Sequence, residues 1–217
     1  MDTLFIVSSY LNNLEWLNNY PNQKIIYDKS NSLPKAENII HVPNVGHNIF
    51  DQMDFIISNY NNLPEYIAFI QGWSYDHCKK EKFDKLINNK YFTPLESYEH
   101  IPESYAHRKS KDMQYEEINT SWYLYLEKPY EHRYFNSYDE FMNMFFCNYQ
   151  HLEWIRFSPG AMYIVPKNNI LYYSKEFYEK LITLVNYAQY TMEAHLLERA
   201  MYYIYSNKYK ERKIDNE

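Results

Sequence analysis

The chain has 217 residues, a net charge of −6 and two cysteines. That length buries a core without staples, and the scattered basic residues exclude the basic face of a nucleic-acid-binding domain. Cys78 and Cys147 lack metal-ligand spacing, which points to a reducing, cytoplasmic setting (the host cytoplasm for a viral chain), although a single bridge between them stays open.

The opening run Leu4–Ser9 is too short for a signal-peptide core, and no Lys or Arg precedes it. No apolar run reaches the roughly 20 residues of a membrane span. The 26 tyrosines are explained by the codon bias of an AT-rich genome, with ring stacking on sugars as the alternative. Glycine is scarce, with three copies where about 15 are usual. Gly46, Gly72 and Gly160 therefore mark places where the backbone needs a positive φ or a close approach by a ligand.

In chain order, residues 3–9 read as a buried strand. A helix over Tyr10–Tyr20 follows, ended by Pro21. Lys24–Tyr27 and Ile39–Val42 are short strands. The turn Pro43–Gly46 opens a helix of about 15 residues with Ile49, Phe50, Met53, Ile56, Ile57 and Tyr60 at helical spacing. Tyr66–Ile70 is a strand that runs into Gln71-Gly72-Trp73, and residues 79–90 a charged surface helix. Strands alternating with helices imply a parallel sheet with helices on its faces. Ligands of such sheets bind beyond the C-terminal strand ends. Here those ends are Ser8-Ser9-Tyr10, Asp28-Lys29, Asn44 and Gln71-Gly72.

Residues 91–157 read as an irregular insertion: loops, small helices including Phe141–Phe146, and an added strand. Ala161–Val165 is a strand ended by Pro166. Ser174 caps a helix over Lys175–Asn186, and a last helix covers Thr191–Ser206. The basic run Lys208–Lys213 reads as a solvated helix end. No repeat or linker divides the chain, so one domain is expected, with 1–90 as its nucleotide-binding half and 158–217 as an acceptor-side half.

Asn44-Val45-Gly46-His47, then Asn59-Tyr60-Asn61-Asn62-Leu63-Pro64 and YIAFIQG, are similar to the N-terminal half of GT-A glycosyltransferases. The chain more closely resembles a short glycosyltransferase-like family of fungi, bacteria and large DNA viruses. Pro159–Val165, Phe177-Tyr178 and Leu197-Glu198-Arg199 fit the same pattern. The resemblance implies an α/β fold with a mixed, mostly parallel sheet, and a nucleotide-diphospho-sugar donor such as a UDP- or GDP-sugar. It implies a glycan or glycoprotein acceptor, and Mn²⁺ or Mg²⁺.

The family's Asp-x-Asp is missing; Asp76 and His77 stand nearest as metal ligands, with Asp76 alternatively capping a helix that starts near Cys78. Asp28 is implied as a nucleobase acceptor, or forms a plain Asx-turn. Ser8, Ser9 and Tyr10 would flank the base, Lys29 would face phosphate or solvent, and Gln71 and Gly72 end the donor strand. Asn44, Gly46 and His47 lie at a helix N-terminus that favours anions. Glu193, His195 and Glu198 are candidate bases, the last two on one helix face; an ordinary salt-bridged helix is the alternative. Arg133, with Glu131 and His132, forms a further polar cluster. A non-catalytic carbohydrate-binding or assembly module is the second expectation, and a metal-dependent hydrolase is disfavoured because no His-Glu-x-x-His exists.

Overall fold

In a computed structural model of the chain, the described residues are 3–97, 105–109, 114–117, 133–135, 137–152 and 154–213. Side chains of residues 105–109 and 114–117 are outside the description, as are Glu131 and His132.

The first half supplies the four expected strands and the second of the two expected helices. Strand β1 (Leu4–Ser9) is followed by β2 (Lys24–Asp28), β3 (Ile39–His41), helix α1 (His47–Asn59) and β4 (Tyr66–Gln71). Helix α2 (Lys80–Leu86) and the short β5 (Thr93–Pro94) come next. Then β6 (Tyr105–Lys109), β7 (Gln114–Glu117), α3 (Tyr138–Phe145) and β8 (Trp154–Arg156) occupy the middle of the chain. The chain continues through β9 (Tyr163–Pro166), α4 (Lys167–Ile170), α5 (Lys175–Thr183) and α6 (Met192–Tyr205).

The main sheet has six strands in the order β3-β2-β1-β4-β9-β5. Strands β1 to β4 are parallel, and β9 runs against both β4 and β5. The fold is therefore α/β with a mixed, mostly parallel sheet. Alternation along the strands sends side chains to two cores. Ile6, Ile67, Phe69, Tyr163 and Val165 pack with α1, α3, α5 and α6. Phe5, Val7, Ala68, Ile70 and Ile164 pack on the other face with Trp16, Tyr20 and Phe83.

Several expectations need correction. The helix expected over Tyr10–Tyr20 is only a 3₁₀ turn at Glu15–Asn19. Asn12 and Asn13 capture nearby amides instead, Asn12 Oδ1 accepting Tyr10 N at 3.0 Å and Asn13 Oδ1 accepting Glu15 N at 2.9 Å. The strand expected from Ala161 starts at Tyr163, because Gly160 and Ala161 hold φ of +70° and +46°. Within 91–157 the described residues include a second sheet, β7-β6-β8, rather than mainly loops.

The basic run past Tyr205 is not a helix end. It folds back so that Glu211 bridges Phe146 and its carboxylate accepts the Ser174 hydroxyl at 2.9 Å. Ser174 caps α5 as expected, accepting Phe177 N at 3.1 Å, and Thr191 caps α6 through Ala194 N at 3.1 Å. Both cysteines are free, Cys78 buried and Cys147 exposed. No helix among the described residues is long and apolar enough to cross a membrane.

Candidate functional site

The chain winds from β1 out to β3 on one side and then crosses to β4 on the other, so strand order reverses between β1 and β4. A crevice opens at such a reversal, beyond the carboxyl ends of the strands. Register brings the polar strand ends level: Ser8 beside Gln71, Ser9 beside Asp28, and Asp28 beside His41. Gly72 N donates to Ser8 O at 2.7 Å, closing the β1 and β4 ends against each other. A Cβ on Gly72 would meet Asn12 Oδ1 at 2.5 Å, so any larger residue there would displace the Asn12 side chain from the Tyr10 turn.

A cleft of about 270 Å³ lies at this reversal. Ser8, Ser9, Tyr10, Lys29, Asn44, His47, Gln71, Gly72 and Asp76, all expected at the site, line it. Gly46 stands just behind as the N-terminal cap of α1, with φ +58° and its amide donating to Ala188 O at 2.9 Å. Asn12, Asn48, Trp73, Gln189 and Tyr190 complete the wall. Tyr10, Trp73 and Tyr190 are each about half exposed, at 50%, 42% and 51%, so ring faces are offered to a ligand. No acidic side chain occupies the first turn of α1, and no side chain caps its amides.

Lys29 does not reach out as a solvated turn lysine would. Its ammonium lies 2.9 Å from Asp51 Oδ1 and donates to Val45 O at 2.8 Å, with the side chain 5% exposed. Burial pushes the Asp51 carboxyl up to about 6, against the opposing pull of Lys29 and of a hydrogen bond from Ser8. Burial likewise holds His47 down to about 4, helped by His195 and Lys29 and opposed by Glu198. His47 is therefore neutral at pH 7.

Asp28 lies on the same rim but beneath it, fully buried. Its carboxylate accepts Ser30 N at 3.0 Å, the Ser30 hydroxyl at 2.5 Å and Leu33 N at 2.8 Å, which is the Asx-turn arrangement. Burial opposes its ionisation, but those hydrogen bonds and His41 outweigh burial and hold the carboxyl below its ordinary range.

The three candidate bases on α6 are not on the cleft wall. Glu193 is fully buried and accepts Arg133 N at 2.7 Å, Tyr134 N at 2.8 Å and the Tyr187 hydroxyl at 2.6 Å. Arg133 itself stacks 3.9 Å from the Tyr187 ring centre. Glu198 accepts Gly160 N at 2.6 Å and pairs with Arg199. His195 stands between Glu198, 3.9 Å from its Nδ1, and the His47 ring, whose centre is 5.1 Å away.

Asp76 and His77 separate. Asp76 is exposed on the cleft wall. The His77 ring packs over the Gly160 turn, where an added Cβ would meet its Cδ2 at 2.9 Å. Asp76 caps no helix either, since α2 begins after Lys79 with no side-chain cap. Among the described residues no three His, Cys, Asp or Glu side chains form a metal centre. Asp76 is the one carboxylate among the described residues of this wall, and so the one side chain there with the anionic oxygen ligands that a Mg²⁺ or Mn²⁺ takes.

Sequence reasoning missed Asp51. Its signal was a carboxylate followed by Gln52 inside an otherwise apolar stripe of α1, where both are buried. Neither a family model, nor a curated protein, nor a solved structure matches this chain.

Proposed function

We propose that the chain is a glycosyltransferase that moves a sugar from a nucleotide-diphosphate donor to a glycan or glycoprotein acceptor, on a GT-A-like sheet. The observation that carries this reading is the gathering of Ser8, Tyr10, Asn44, His47, Gln71 and Asp76 on one cleft at the β1/β4 reversal. The sheet order supports it, because a donor of this kind suits a crevice beyond parallel strand ends.

In this reading the exposed rings of Tyr10, Trp73 and Tyr190 stack on base or sugar, and the side-chain amides of Asn44, Asn48 and Gln71 read hydroxyl groups. The diphosphate faces the first turn of α1. Asp76 would hold a divalent metal, which would supply positive charge to offset the leaving diphosphate. The acceptor hydroxyl attacks the anomeric carbon as that carbon's bond to the diphosphate breaks, and the hydroxyl proton passes to neutral His47, backed by His195 and Glu198.

Calorimetry with UDP- and GDP-sugars in the presence of Mn²⁺ tests the reading. Heat of binding with at least one donor is expected, and no heat with any common donor rejects it.

One observation favours a second reading, a non-catalytic carbohydrate-binding or assembly module. Glu193 and Glu198 are committed to backbone amides, so neither is free to act as a base. That reading expects sugar binding with no donor hydrolysis and no metal dependence. Slow UDP-sugar hydrolysis that Asp76→Ala abolishes would reject it.

A further inference from the structure

Lys29 is the one lysine or arginine among the described residues of the cleft wall. A free ammonium there would attract any anionic part of a ligand. This one is not free: Asp51, with no exposed surface, lies 2.9 Å away, and Val45 O accepts a second bond. The Phe50 ring covers a third side at 5.2 Å. The wall's one carboxylate, Asp76, is exposed. With His47 neutral and Lys29 paired, the described residues of the wall offer a ligand no uncompensated cationic side chain.

The ion pair is a costly way to fill a core position. Asp51 is buried within α1 alongside Gln52, near Phe55 one turn on. A well-packed apolar pair commonly serves stability as well as or better than a buried ion pair. Holding Lys29 at the cleft floor while cancelling its charge gives the pair a purpose that packing does not.

We infer that Asp51 is a positioning residue that sets the charge preference of the cleft: by occupying Lys29 it makes the site select an uncharged sugar ring over a carboxylated one. The inference rests on the donor reading above and adds the class of sugar. A uronic-acid ring would find no unpaired cationic side chain among the described residues of the wall, whereas a neutral hexose meets amides and ring faces.

The test is calorimetry with matched donor pairs in Mn²⁺: UDP-glucose against UDP-glucuronic acid, and GDP-mannose against GDP-mannuronic acid. At pH 7.5 the wild-type protein is expected to favour the uncharged member by roughly tenfold or more. Asp51→Asn releases Lys29 and narrows or reverses that ratio by roughly tenfold. Asp51→Asn combined with Lys29→Met removes both charges and restores the wild-type preference, an outcome that mere loss of packing does not produce.

A second measurement needs no variant. The groups facing Asp51 are Lys29 from the end of β2, Ser8 from β1, Tyr27 from β2 and Asp54 on its own helix. Acidification to pH 5 protonates Asp51, whose carboxyl sits at about 6, while His47, at about 4, stays mostly neutral and the uronate stays charged. The wild-type ratio must then fall several-fold.

Equal wild-type affinities within each pair, an unchanged ratio in Asp51→Asn, or an unchanged ratio at pH 5 overturns this inference alone. Failure of all four donors to bind overturns the donor reading and this inference with it.

Discussion

Glu198 and Gly160 are joined across the molecule: the Glu198 carboxylate accepts the Gly160 amide at 2.6 Å while Gly160 holds φ +70°. The same carboxylate pairs with Arg199, whose side chain is 1% exposed. Glu198→Ala therefore leaves a buried guanidinium without this partner and is expected to cost about 3 kcal/mol of stability. Glu198→Gln keeps an acceptor for Gly160 and should cost less. Urea unfolding of the two variants measures both, and a loss below about 1 kcal/mol for the alanine variant would contradict the structural role.

Trp73 contributes an exposed ring to the cleft, 42% exposed, and packs edge-on against Trp16 and Tyr75. Trp73→Ala should lower donor affinity about two- to tenfold, in line with 0.5–1.5 kcal/mol for a ring contact. Its effect on stability should be small. Calorimetry beside thermal unfolding separates the two, and unaltered affinity would remove Trp73 from the binding surface.

His47 makes stability fall in acid. An unfolded chain protonates this histidine near pH 6.5, whereas in the fold it does so only near 4. Between those values the unfolded state binds a proton that the folded state refuses. The histidine's contribution is thus intact above about pH 6.5 and lost progressively as pH falls toward 4, by up to about 3 kcal/mol. Asp51 acts in the opposite direction, but it is common to wild type and His47→Gln and cancels between them. On moving from pH 7.5 to 5, the variant should gain stability relative to wild type. Urea midpoints at the two values measure this, and a constant gap would refute it.

Gly46 has φ +58°, and a Cβ there would lie 2.7 Å from Val185 O. The left-handed conformation alone costs an L-residue roughly 1–2 kcal/mol, and the backbone clash adds to it. Gly46→Ala should therefore destabilise the fold by about 2 kcal/mol or more. Gly72→Ala meets only the Asn12 side chain, so it should spare stability and weaken donor binding by distorting the Tyr10 turn. Thermal unfolding and calorimetry on the pair of variants distinguish the two glycines.

Much of the sheet was legible because buried strands leave short β-branched runs, as in Leu4–Ser9 and Tyr66–Gln71. Helices expected before Lys24–Tyr27 and before Tyr66–Ile70 implied a parallel direction and a common rim; the first of them is only a 3₁₀ turn, yet the strands still pair in parallel. Direction was not legible for β9, since an apolar run reads the same in either sense; only its pairing of Phe69 with Tyr163 reveals it. The 3₁₀ turn at Glu15–Asn19 escaped because apolar spacing suggested a helix while Asn12 and Asn13 competed for the backbone.

At the cleft, residue positions were more legible than their partners. Asp28, Lys29 and Glu193 sit on elements read correctly, yet each carries hydrogen bonds to residues that spacing cannot identify. Asp28 folds onto Ser30 and Leu33, Lys29 onto Asp51, and Glu193 onto Arg133 and Tyr134. Asp51 was hidden because an acid among the apolar positions of α1 looks like an imperfection until its cation is found.

The reversed strand β9 also bears on synthesis. As the nascent chain leaves the ribosome, β1 to β4 can associate early, but one flank of β4 stays bare until Tyr163–Pro166 emerges far downstream. An open strand flank invites pairing with other chains. Truncated products ending before β9 are therefore the forms of this protein most prone to aggregate, and production hosts that slow or interrupt translation in the middle of the message would accumulate them.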